Sequence, residues 1–266
     1  MNIIINPEYE ELIKEEKSLR EELTRFIAIQ DELVYHTCPN IEARYMEAVG
    51  MLETKILEFK IDIRAIKRKT ELIRAKLNRR EVVILTEIDN TIEREYKQYY
   101  EQVQKALKEA EKSIERLSGE FLSQQETIDL KKAYKNIVKR LHPDLNPECD
   151  ENDIMLFHKA VSAYENGDLE AIKLIEILID KVSERNDTAS GIEAIRKRCE
   201  KLKDNIRVVD ERILKIKTSF PYNQLDFINN KAWVEEKREE LKATIETLKE
   251  IYKAYEDEIN TMLGGQ

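Results

Sequence analysis

The sequence predicts an all-α protein in which long antiparallel coiled-coil hairpins flank a small helical module. Three observations carry that expectation. Charged residues fill 37% of the 266 positions, while glycine and proline number only 6 and 5, a usage that suits long helices and leaves few turn residues for a sheet. Apolar residues recur at steps of three and four through most of the chain, the seam of helices that pack on helices. The interruptions between seams are short, which favours helices that fold back on their neighbours.

The elements follow in order. Pro7 suits the first turn of a helix, and Tyr9, Leu12, Glu16, Leu19, Leu23, Phe26, Gln30 and Leu33 then keep heptad spacing with two polar slots. Thr37-Cys38-Pro39-Asn40 is expected to end this helix near His36, with Pro39 opening the next. Tyr45, Ala48, Leu52, Ile56, Phe59, Ile63, Ile66, Thr70, Ile73 and Leu77 hold one face of the second helix, which would span roughly 50 Å at 1.5 Å per residue. The two should return antiparallel. Asn78-Arg79-Arg80 breaks the pattern, Val82 to Leu85 forms an apolar link, and Thr86 to Ser118 is helical again, with Leu107, Ala110, Ile114 and Leu117 on one side.

Ser123 and Glu126 have the spacing of a capping box and place a helix start near Gln124. Gly167 after Asn166 is a helix stop, and Asp168 can cap a helix from Leu169 to about Val182. A polar hinge, Arg185-Asn186-Asp187-Thr188, follows. Ser190 with Glu193 opens a helix whose seam is Ile192, Ile195, Cys199, Leu202, Ile206, Val209, Ile213 and Ile216. The last helix carries Val234, Leu241, Ile245, Leu248, Tyr252, Tyr255, Ile259 and Met262. These two helices are expected to form an antiparallel hairpin, with Phe220, Phe227 or Trp233 of the 218–230 loop tucked against the helix ends. Three regions result: 1–118, 119–186 and 187–266.

Charge and composition narrow the function. A net charge of −9 and a pI near 5.2 argue against general nucleic-acid binding and against adhesion to anionic membranes. No run of eighteen apolar residues exists to span a bilayer, and Met1 to Asn6 lacks the length and basic start of a signal peptide. Cys38, Cys149 and Cys199 are odd in number and scattered, which suits a reducing cytoplasm. His36, Cys38, Cys149, His158 and Cys199 have no spacing suited to zinc. No phosphate-binding glycine loop or nucleophile elbow occurs. The expectation is a cytoplasmic protein that is not an enzyme and holds no metal or cofactor.

The informative stretch lies in the middle. From Thr127 to Leu141 the apolar residues Leu130, Tyr134, Ile137, Val138 and Leu141 share one side of a helix. Lys131, Lys135 and Lys139 fall four residues apart on another side, with Lys132 and Arg140 beside them, five basic residues with no acid between 131 and 140. Pro143 cannot continue the helix, so His142 and Asp144 are presented at its C-terminal end. Ile154, Phe157, Val161 and Tyr164 then form a second apolar stripe, and two short antiparallel helices joined by an exposed turn are expected.

Lys131-Lys132-Ala133-Tyr134, His142-Pro143-Asp144, Asn146-Pro147, Phe157 and Ala163-Tyr164 together resemble the second and third helices of a J-domain, the module of DnaJ-type co-chaperones, over about forty residues. The family's paired-tyrosine opening is replaced by Ser118 to Ser123. Leu145 stands where a basic residue is common. A Gly/Phe-rich linker and Cys-x-x-Cys repeats are absent, so the resemblance is to the module alone.

It implies that Lys131, Lys132, Lys135, Lys139, Arg140, His142, Pro143 and Asp144 contact an ATPase chaperone of the DnaK class and stimulate its ATP hydrolysis. The arms would then select a client that the sequence does not name, and homodimerisation through them is left open. The other reading is a structural protein in which a J-like module only spaces the coiled-coil arms.

Overall fold

A computed structural model describes residues 7–118, 122–180 and 191–264, and every regular element among them is helical. The expected hinge at 185–188 and the capping serine Ser190 lie outside the described residues. No helix among those described is long and apolar enough to cross a membrane.

The first helices depart from expectation. α1 (Pro7–Glu32), α2 (Cys38–Tyr45) and α3 (Met51–Asn78) are joined by two five-residue π-helical turns, Leu33–Thr37 and Met46–Gly50, so the chain stays helical from Pro7 to Asn78. Pro39 does not break it. In an α-helix the proline ring would press on the carbonyl of Tyr35 and offer it no N–H. The wide turn just ahead, where the Cys38 N–H reaches back to the Leu33 carbonyl, relieves that conflict. The antiparallel return between the first two helices therefore does not form.

The chain divides into two compact units, one joining Met1–Pro39 to Glu120–Asn223 and the other joining Asn40–Gly119 to Gln224–Gln266. This grouping cuts across the three sequence regions, because helices distant in sequence share each core. In the second unit, α3 packs on α4 (Leu85–Glu115) and on α10 (Lys231–Gly264). Lys69 pairs with Asp89, Arg68 with Glu95, and Asp62 accepts from the Tyr100 hydroxyl. Rising numbers on α3 thus meet falling numbers on α4, so this pair is antiparallel. α10 runs parallel to α3: Arg238 donates to the Ala48 carbonyl near one end, and Arg74 pairs with Glu258 near the other. Val49, Ile56, Leu241 and Ile245 fill one core between them, and Ile66, Ile73, Ile88 and Ile259 another.

In the first unit, α8 (Ile192–Thr218) lies parallel to α1, with Arg196 on Glu8 and Lys203 on Glu15. Its seam residues Ile195, Cys199, Leu202, Val209 and Ile213 are buried. The expected hairpin of the last two long helices is thus replaced: the α8 seam is used by α1 and the α10 seam by α3. Between them Phe220 and Phe227 stay half exposed, at 48% and 47%. Tyr222 packs on the core of the first unit, while Ile228 of the short helix α9 (Leu225–Asn229) is buried in the second.

The seam assigns different reactivities to two thiols. Cys199 is 2% exposed, and burial, reinforced by Glu15 and Glu16, raises its pKa, whereas Cys149 is only half-buried. Since the thiolate is the reactive form, a maleimide should modify Cys149 well before Cys199 in the native protein. Mass mapping of the labelled peptides reads the order.

Candidate functional site

The basic helix is α5 (Gln124–Leu141), and its start is built as the sequence indicates. The Glu126 N–H donates to Ser123 Oγ, and the Ser123 N–H donates to the Glu126 carboxylate at 2.8 Å. α6 (Glu151–Glu165) opens with a second box, Asp150 and Asp153. Two Asp three residues apart ahead of an apolar run are its signal in the sequence. Gly167 has φ 69°, and Asp168 accepts from the Ala171 N–H at the start of α7 (Leu169–Asp180).

The core beneath the site is larger than the two helices. Leu130, Ile137, Val138 and Leu141 of α5 meet Phe157 and Ala160 of α6 and Ile172 and Ile175 of α7, but also Leu23 and Ile27 of α1 and Leu33 of the π-helical turn that follows it. Tyr134 and Tyr164 stack with ring centroids 3.9 Å apart and planes 6° apart. Each hydroxyl reaches α1: Tyr134 donates to Asp31 at 2.8 Å and Tyr164 to Glu32 at 2.7 Å. Glu32 also holds Lys131 at 2.9 Å. A module standing by itself between two arms is therefore not what the chain builds, because α1 supplies part of its core.

Burial lifts the Asp31 carboxyl to about 6, against the lowering effect of the Tyr134 hydroxyl. The folded state then keeps this proton to higher pH than the unfolded chain, whose carboxyl titrates near 3.8. The stability this group contributes is present below about pH 4 and is lost as pH rises through about 6. Asp31→Asn should flatten that part of the stability–pH curve, as measured by denaturant midpoints between pH 4 and 7.

His142, Pro143 and Asp144 follow α5 as a tight turn. The Leu145 and Asn146 N–H groups both donate to the His142 carbonyl, at 3.0 and 2.9 Å. Asn146 closes the turn by donating its side-chain amide to the Lys139 carbonyl at 3.0 Å. The His142 ring meets Phe157 edge to face, with centroids 5.1 Å apart, and its Nδ1 accepts the Asp144 N–H. Burial lowers its pKa, with Asp144 acting in the opposite direction. A neutral ring whose Nδ1 is an acceptor carries its proton on Nε2, the nitrogen left to donate to another molecule. Pro143 and Asp144 are exposed. The side chain of Leu145, by contrast, is 2% exposed and belongs to the core.

Ile128, Lys132, Lys135 and Lys139, at steps of four, three and four, form one exposed line along α5. Lys132, Lys135, Lys139 and the Asp144 carboxylate have no hydrogen-bond or ion-pair partner among the described residues. Lys131 stands apart because of Glu32, and Arg140 is exposed beside the turn. The eight residues singled out in the sequence thus lie along one helix and its terminal turn. Sequence reasoning missed their supports on the first helix, Arg20, Asp31 and Glu32, whose roles depend on contacts more than a hundred residues away. No protein-family model, curated protein or solved structure matches this chain.

Proposed function

We propose that this protein is a co-chaperone that binds a DnaK-class ATPase through the His142-Pro143-Asp144 turn and the α5 basic line, and stimulates its ATP hydrolysis. One observation carries the reading: a carboxylate with no partner among the described residues stands on a braced turn, at the end of a row of lysines that likewise have none among them. A spacer needs neither feature. Asp144 can accept a charge-assisted, bidentate pair from a partner arginine. Lys132, Lys135 and Lys139 can steer an acidic surface toward it. Lys131, already engaged by Glu32, has a lesser share.

The direct test is ATP turnover by the DnaK-class chaperone of the same cell, with and without this protein. Stimulation supports the reading. Its absence at saturating concentration favours the spacer. Lys135→Glu with Lys139→Glu should weaken the association more at low salt than at high salt, since exposed charges are screened over about 10 Å at 0.1 M. Titrations at two ionic strengths measure that difference.

A further inference from the structure

The turn that carries Asp144 is fastened to a charged network that runs through α1 to α8. The Leu145 carbonyl, one residue past Asp144, accepts from Arg20 Nη1 at 2.7 Å. The remaining edge of the same guanidinium faces Glu16, with Nε at 3.3 Å and Nη2 at 3.2 Å from Oε1. Glu16 is itself clamped from α8: Arg198 donates to both carboxylate oxygens, at 2.9 and 3.0 Å. Glu16 is 5% exposed, and a carboxylate so placed is costly unless it is paired and hydrogen-bonded. Burial alone would raise its pKa, but the guanidiniums of Arg198 and Arg20 outweigh that and hold it below the usual carboxylate range.

These contacts form one relay. Arg198 fixes Glu16, Glu16 fixes the plane of the Arg20 guanidinium, and Arg20 holds the peptide carbonyl that follows the presented aspartate. A neutral side chain at position 20 would leave that carbonyl and Glu16 short of a donor. Loss of the α8 arginine would remove two of the four hydrogen bonds on Glu16.

We propose that Arg20 is a positioning residue for the His142-Pro143-Asp144 turn, and that the Glu16–Arg198 pair makes this positioning conditional on α8 lying against α1. The functional half rests on the co-chaperone reading; the structural half does not. Anything that draws α8 off α1 would loosen the turn and lower its activity, so regulation would reach the partner-binding face from a helix that does not belong to it.

Amide hydrogen exchange on the full-length protein tests the structural half, read at Leu145, Asn146 and Cys149, whose N–H groups are bonded within the turn. Arg20→Ala should speed exchange there by about tenfold or more, the loss expected of a charge-assisted hydrogen bond. Arg20→Lys should restore part of the protection, and Arg198→Ala should speed exchange by a smaller factor. Lys203→Ala is the control, because it breaks the exposed pair with Glu15 on the same helix interface without touching the relay, and it should leave the turn unchanged.

The proposal is overturned if Arg20→Ala leaves the turn amides protected, or if Lys203→Ala opens them as much as Arg198→Ala does. In the ATPase assay the concentration for half-maximal stimulation should rise in the same order as the exchange rates. If the unaltered protein gives no stimulation, the co-chaperone reading fails, and the exchange data still decide whether Arg20 positions the turn.

Discussion

Asp144→Asn is expected to abolish stimulation of a DnaK-class ATPase while leaving helix content and melting temperature almost unchanged. The carboxylate is exposed and makes no hydrogen bond among the described residues, so its loss should move stability by no more than about half a kcal/mol, as for other surface sites. Across an interface the expectation is reversed. Truncating one member of a buried charge pair typically costs about 2–5 kcal/mol, a thirtyfold loss of affinity at the least. His142→Gln should act in the same direction by replacing the ring that receives the Asp144 N–H and packs on Phe157. ATP turnover and circular dichroism on the same preparations separate the two effects. If stimulation persists with asparagine at 144, the proposed contact is wrong.

Leu145→Ala should give the opposite pattern in stability. One residue beyond the exposed carboxylate, this side chain is 2% exposed within the core that joins α1, α5, α6 and α7. Large-to-small changes at such sites cost about 2–5 kcal/mol, through lost transfer free energy and the cavity left behind. The denaturant midpoint should therefore fall clearly, where Asp144→Asn barely moves it. A change below about 0.5 kcal/mol would mean that the turn is not seated as described. If the midpoint falls as expected, adjacent residues divide the work, Leu145 anchoring the turn that presents Asp144.

The local structure of α5 was legible because short-range chemistry decides it. The Ser123–Glu126 box, the apolar face from Leu130 to Leu141 and the helix stop at Pro143 all depend on residues within a few positions of one another. The all-α class was legible for the same reason. Seams were legible too, but not their partners, because a heptad face records that it is covered and not by what. Ile195, Cys199 and Leu202 are buried as their spacing requires, yet on α1 and in parallel. Pro39 misled because the usual cost of an internal proline was weighed without the wide turn that removes it. Arg20 and Asp31 were illegible as supports, since a polar residue on a heptad flank looks the same whether it faces water or a distant turn.

The second wide turn, Met46–Gly50, has a consequence for chain length. Tyr45 donates its hydroxyl to Glu53 at 2.8 Å, although residues eight apart on an ordinary α-helix point about 80° away from each other. They align here because one α turn and one π turn together take up about eight residues. Deleting the exposed Glu47 would let the segment close into regular α-helix, and Tyr45 and Glu53, then seven apart, would still lie within about 20° of each other. In a regular α-helix a one-residue deletion turns everything beyond it by about 100°; here the wide turn would absorb the loss, and the faces on either side of it would keep their bearing.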